Sequence, residues 1–119
     1  MINQHMKLSL NSIAIIVSSE EGVNFYKSLG FEEVSREVRK ESHDELICLF
    51  NGDISLRLYK DATHPTRNRK PESLGLRYLT FEVDDLSQFK GVEIKEDQLG
   101  RFIFLNDPDG QPVQIREKR

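Results

Sequence analysis

Apolar and polar positions alternate along much of this chain, and the alternation divides it into strands before any other property is considered. Residues 8–17 are rich in β-branched side chains and stop at Ser18, which predicts a strand. Successive side chains on a strand point to opposite sides, so Ile13, Ile15 and Val17 share one face while Ser12, Ala14 and Ile16 share the other. The period then changes. Val23, Tyr26 and Leu29 fall on one helical stripe with Phe25 beside it, and Gly30 suits the left-handed position that ends a helix. Ser18 and Glu21 have the spacing of a capping box, and Glu20 and Glu21 place negative charge at the positive end of the helix dipole. A helix is therefore predicted over 19–29. Gly22 inside it costs about 1 kcal/mol relative to Ala, which tertiary packing must offset.

Three more strands are predicted at 32–37, 45–50 and 54–59, and Asn51-Gly52 between the last two signals a type I′ hairpin. Residues 61–74 carry Pro65 and Pro71 with Arg67, Arg69 and Lys70 and show no periodicity, so they read as a connector. The pattern then starts again. A strand is predicted at 76–83, Asp84-Asp85 is placed to cap a helix, and strands follow at 92–95, 101–105 and 113–116. The run Asn106-Asp107-Pro108-Asp109-Gly110 is dense turn chemistry between the last two. The chain thus reads βαβββ twice, as one α+β domain over 1–119 with modules at about 7–60 and 75–117. Val83 to Gly91 is much shorter than the matching Val17 to Gly30, so the second helix is reduced to a stub. The apolar stripe it leaves uncovered is a motive for association of two copies.

Splitting each strand by period two separates the side chains that could carry chemistry. In 54–59 the core set is Ile54, Leu56 and Leu58, leaving Ser55, Arg57 and Tyr59. In 78–83 the core set is Leu79, Phe81 and Val83, leaving Tyr78, Thr80 and Glu82; in 113–116 the second face shows Gln114 and Arg116. Two such polar-studded sheets can curve around a shared cleft, or each can simply leave one face to solvent. Alternation by itself favours the second.

Composition narrows the function classes. With 17 basic and 20 acidic residues in 119, the net charge of −3 argues against a nucleic-acid partner bound by phosphate neutralisation. The longest early apolar run, 13–17, is too short for a membrane span or a signal-peptide core. The one cysteine, Cys48, can form no internal disulfide, which points to a reducing cytoplasm.

The βαβββ duplication, Phe25-Tyr26-x-x-Leu29-Gly30-Phe31, Gly75-Leu76-Arg77-Tyr78-Leu79-x-Phe81-x-Val83-Asp84-Asp85, and Asn106-Asp107-Pro108-Asp109-Gly110 together resemble the vicinal oxygen chelate superfamily. This is the fold of glyoxalase I, extradiol dioxygenases and bleomycin-resistance proteins, and the likeness runs over residues 7–117, most of all to small bacterial glyoxalase-like proteins. It implies curved mixed sheets around a cleft, often completed by a second chain in a homodimer, with a divalent metal inside. It also implies His, Glu, His and Glu ligands at four strand positions, where this chain has Ser12, Arg57, Tyr78 and Gln114. Ser, Gln and neutral Tyr are poor ligands for a divalent ion, and a guanidinium repels one. No metal and no cofactor are therefore expected.

The reading this supports is a metal-independent protein that binds a small molecule, with Arg57 holding an anionic oxygen and Tyr78, Gln114 and Ser12 orienting the ligand. Glu82 enters as the residue that would pair with Arg57 if that charge were only structural. Two other classes remain open: a glyoxalase I-like lyase using non-standard ligands, and a pseudoenzyme acting as an interaction module. Among other candidates, His43-Asp44-Glu45 reads as a solvated tip, since adjacent strand residues cannot converge on a metal. His5 lies in the leading tail, His64 in the connector, and Arg67, Arg69 and Lys70 are either a solvated loop or an anion-gating lid. Cys48 reads as a small apolar strand residue with no activating His nearby in sequence.

Overall fold

The computed structural model describes residues 6–67 and 72–119, and its contacts divide into two units, Met1–His64 and Pro65–Arg119. The expected tail histidine His5, and Arg69 and Lys70 of the connector, lie outside the described residues. Each unit holds one four-stranded mixed sheet, and together they realise the predicted pair of βαβββ modules, with one α-helix among the described residues.

The first unit contains β1 (Ile13–Val17), α1 (Glu20–Ser28), β2 (Glu32–Val38), β3 (Glu45–Asn51) and β4 (Ile54–Lys60). The sheet order is β1-β4-β3-β2, with β1 parallel to β4 and the other pairs antiparallel. The apolar alternation lands where expected: Val17, Ile47, Leu49, Leu56 and Leu58 are fully buried with Val23 and Tyr26 of the helix. β1 is shorter than predicted, because residues 6–12 take no strand partner.

Two local expectations are corrected. Ser19, not Ser18, is the extended residue at the helix N-cap, and no side-chain cap bond forms; Gly22 N–H donates instead to the Ser19 carbonyl. The β3–β4 turn is Gly52-Asp53, one residue later than expected, with Asn51 already paired to Ile54. Only Gly52 is left-handed there, at φ 58°, which matches a II′ turn with Gly in the first central position rather than I′.

Gly22 has a reason that periodicity did not supply. A Cβ built there would lie 2.7 Å from Val17 Cβ, so only glycine lets the helix sit this close to β1. The same side of the unit carries an ionic network. Arg36 donates to both Glu20 carboxylate oxygens at 2.8 Å and to Glu33 at 2.9 and 3.0 Å. Lys60 Nζ bridges Glu20 and Glu45 at 2.9 Å each, and Lys27 reaches Glu33 at 2.7 Å. These bonds, led by those from Arg36, hold the Glu20 and Glu33 carboxyls down at about 2.

The second unit contains β5 (Leu79–Val83), a 3-10 helix (Leu86–Gln88), β6 (Lys95–Asp97), β7 (Gly100–Asn106) and β8 (Pro112–Glu117). The order β5-β8-β7-β6 repeats the first sheet, with β5 parallel to β8. Asp85 caps the 3-10 helix by accepting from Ser87 N–H at 2.8 Å, as its position suggested. β6 begins at Lys95, not 92. The short helix does not leave the expected bare stripe over the central strands. Leu86 is fully buried, and so are Ile103 and Val113, with Ile115 at 2 % exposure. The Asp107 carboxylate, itself buried, accepts from the N–H groups of Asp109 and Gln111 at 2.9 Å each and so folds the turn before β8.

Candidate functional site

On the first sheet the face opposite α1 has Arg57 at its centre. β4 is an inner strand, and the register sets Arg57 between Ala14 of β1 and Cys48 of β3. Its guanidinium is exposed, and among the described residues it has no ion-pair or hydrogen-bond partner. This contrasts with the other arginines of the unit, since Arg36 is tied to Glu20 and Glu33, and Arg39 forms a two-bond pair with Asp44 at 2.6 Å. Arg39 also lies 4.7 Å from the centre of the Tyr59 ring, so Tyr59 is engaged at its face by a cation already neutralised. The neighbours of Arg57 on its own face, Ala14, Ile16, Leu46 and Cys48, carry no charge to compensate it. Ser12 is half-buried just before β1 and belongs by alternation to this same face. Cys48 is half-buried and free, directly opposite Arg57 in the ladder. His43 sits in the exposed turn before β3 at φ 59°, consistent with a solvated tip.

On the second sheet the open face is built from alternate residues of β5, β8 and β7 together with Tyr78, just ahead of β5. Tyr78 and Phe104 meet edge to face at 5.1 Å between ring centres, and Phe102 continues the row at 5.8 Å. The Arg116 guanidinium lies 4.7 Å from the centre of the Phe102 ring and donates to both oxygens of Asp97, at 3.1 and 2.6 Å. That pairing raises the Arg116 pKa and lowers the Asp97 carboxyl, so both stay charged and neutralise each other. Gln114 lies in register between Thr80 and Phe104 and is only 4 % exposed. Its Oε1 accepts from Thr80 Oγ1 at 3.0 Å and from Arg116 Nε at 3.1 Å. Glu82 is exposed beside Arg116 in the register, yet Arg116 takes Asp97 as its partner, and Glu82 has none among the described residues.

A shallow, open groove of about 490 Å³ adjoins this face, lined by Glu72, Arg77, Tyr78, Phe104, Asn106 and Pro112 with Gly110. Arg77 and Glu72 pair across 3.2 Å at its rim. Arg67, the described part of the basic connector, donates through Nη2 to the Ser73 and Leu74 carbonyls at 3.0 and 3.1 Å, which ties the connector to itself.

Of the five residues singled out in the sequence, Ser12 and Arg57 belong to the first unit and Tyr78, Glu82 and Gln114 to the second. Sequence reasoning passed over Phe102, Phe104 and Asp97. β7 is apolar at both parities, so alternation could not separate Phe102 and Phe104 from the buried Ile103. Among the described residues no group of three or more His, Cys, Asp or Glu side chains is gathered to hold a metal ion.

Two repeats of this topology, one of them with its helix reduced to a single 3-10 turn, define a protein of the vicinal oxygen chelate fold. A glyoxalase family protein of known structure from Enterococcus faecalis is 31 % identical, covering 92 % of this chain and 97 % of its own with a TM-score of 0.81. Two relatives extend the likeness: the uncharacterised YwkD of Bacillus subtilis, 35 % identical over 92 % of this chain and 97 % of its own, and YaeR of Escherichia coli. The latter is 33 % identical over 76 % of this chain and 79 % of its own length. The chain belongs to the glyoxalase family of the vicinal oxygen chelate superfamily. No family model matches it.

Proposed function

We propose that this chain is a glyoxalase-family protein that binds a small molecule without a metal, taking an anionic oxygen of that ligand on Arg57. The observation that carries the reading is the state of Arg57: an exposed guanidinium on an inner strand, among uncharged neighbours, with no partner among the described residues. A guanidinium presents paired N–H donors that match a carboxylate or phosphate, and it stays charged at any working pH. Ser12 on the first sheet, and Tyr78, Gln114 and Glu82 on the second, are the further residues proposed to contact ligand.

The chemistry of the side chains argues in the same direction. The resemblance implies His and Glu ligands where this chain has Ser12, Arg57, Tyr78 and Gln114. These do not fit a divalent ion, which needs imidazole nitrogen or carboxylate oxygen, and the Gln114 oxygen is already engaged by Arg116 Nε. A homodimer in the cytoplasm completes the proposal. Leu8, Leu10, Leu74 and Leu76 are exposed apolar side chains available to a second copy, and the free Cys48 suits a reducing compartment. No helix among the described residues is long and apolar enough to cross a membrane.

The test is calorimetric titration of benzoate into the wild type and Arg57→Ala, with the melting temperature recorded for both. Binding in the wild type that falls by about tenfold or more in the variant, at unchanged melting temperature, supports the anion site. Equal binding overturns it. Stoichiometric nickel or zinc in protein purified without chelator, with isomerisation of a hemithioacetal, would instead establish the lyase reading. Light scattering that shows a monomer at high concentration removes the dimer.

A further inference from the structure

Asn51-Gly52 does more than turn the chain. Asn51 alone among the asparagines is followed by glycine. It forms the last pair of the β3–β4 ladder, opposite Ile54, and Gly52 begins the turn beyond it. Both residues are exposed, and the Asn51 side chain has no hydrogen-bond partner among the described residues. A Cβ built on Gly52 would meet nothing within 4 Å, so the space around this residue is open to solvent and to the neighbouring amide. The extended main chain of the final pair is what keeps the Asn51 amide away from the Gly52 nitrogen. The end of a ladder opens far more easily than the whole domain unfolds. Once it opens, amide carbon and glycine nitrogen are tethered within one short ring of each other, with no Cβ on the attacking residue to obstruct them.

The surroundings show what a change at Asn51 would do. A Cβ built on Gly30 would lie 3.0 Å from Asn51 Nδ2, so the amide rests against the residue that follows the C-cap of α1. The helix dipole makes that end negative, and Lys27, the basic residue of the last turn, is already engaged by Glu33 at 2.7 Å. A neutral amide is tolerated there, whereas a carboxylate would meet charge of its own sign.

We propose that Asn51 is a deamidation site through which the hairpin end and the end of α1 are altered together. The Gly52 main-chain nitrogen attacks Cγ of Asn51, and its proton leaves with Nδ2 as ammonia, closing a five-membered imide. Water then opens the imide at either carbonyl, giving aspartate or isoaspartate. No oxidant or cofactor enters, and solvent water is the one co-reactant. Both products place a carboxylate beside Gly30. Isoaspartate also adds a carbon to the main chain at the last pair, which breaks the register with Ile54.

The experiment incubates the full chain in mildly alkaline buffer at body temperature and maps its peptides by mass spectrometry. Asn11, in the segment that takes no strand partner, serves as the internal reference for an asparagine that no ladder protects. The Asn51 peptide should gain the mass of one deamidation before the Asn11 peptide does, with isoaspartate as the major product. Asn51→Gln, whose longer side chain would have to close a larger ring, should lose that signal and keep the melting temperature within a few degrees. The isoaspartate form, separated by ion exchange, should melt below the unmodified chain. Asn51→Asp, which carries the charge without the extra main-chain carbon, should fall between them. Asn51 still intact in the folded chain when Asn11 has reacted, or aspartate formed without isoaspartate, overturns the inference. An isoaspartate form that melts together with the unmodified chain overturns the coupling to α1.

Discussion

Removing Arg36 tests whether the first unit is held by its ionic network as well as by its apolar core. The guanidinium is the hub: two bonds to Glu20 join α1 to β2, and two more hold Glu33. Both carboxyls are drawn from 4.5 to about 2, first of all by their bonds to Arg36. A carboxyl whose folded pKa lies below its unfolded value binds fewer protons when folded. Its contribution is therefore complete above about pH 4.5 and is lost as the pH falls towards 2. The Glu20 side chain is 44 % exposed, so water screens much of the attraction, and the network is worth about 1–2 kcal/mol in total. Arg36→Met keeps most of the stem that packs on the sheet while removing the charge. Urea unfolding at pH 7 should show a loss of about 1–2 kcal/mol, shrinking to a minor fraction of that at pH 2.5, where the wild type has lost most of the same term. A variant that loses as much at pH 2.5 as at pH 7 would refute the electrostatic account and leave stem packing as the cause. Half-molar salt should narrow the difference at pH 7 as well.

Other consequences follow from backbone geometry. Gly22→Ala should destabilise by about 1–3 kcal/mol in thermal or urea unfolding despite the better helix propensity of alanine, because its Cβ meets Val17 Cβ at 2.7 Å. Adding Val17→Gly, which removes the Cβ that is met, should relieve that clash, so the double variant should cost less than the sum of the two single changes. Asp107→Ala should cost about 1–3 kcal/mol by orphaning the N–H groups of Asp109 and Gln111, whereas Asp107→Asn, which keeps the accepting oxygen, should cost less. Gly52→Val should slow refolding or lower stability by about 1 kcal/mol, since a β-branched residue resists φ 58°.

The sheets were legible because their alternation is strong: Leu56 and Leu58 are fully buried while Arg57 between them is exposed, as period two requires. The helix was legible for the same reason, and so was its reduction to a 3-10 turn after Asp85, from the short distance between Val83 and Gly91. Boundaries were less so. Ser18 and Ser19 are adjacent and chemically equivalent, so residue type could not choose between them; in the fold Ser19 is the extended residue before α1. The hairpin turn moved by one residue because Asn51 is held in the ladder by Ile54.

The candidate residues divide along the same line. That Arg57, Tyr78 and Gln114 stand on the non-core faces was decided by local parity, which every strand enforces through its own pleat. What those side chains meet was not. Arg36 finds Glu20 sixteen residues away, and Arg116 finds Asp97 nineteen away; no local pattern marks such partners. Gln114 looks like a surface glutamine in the sequence, and only the ladder that seats it between Thr80 and Phe104 buries it and turns its oxygen to Arg116. On the strands that alternate, the sequence by itself determined which residues share the face away from the core, because covalent geometry sets that; on β7, apolar at both parities, it did not. Tertiary structure decided which charges are cancelled and which polar atoms stay unpaired, because those depend on neighbours brought together only by folding.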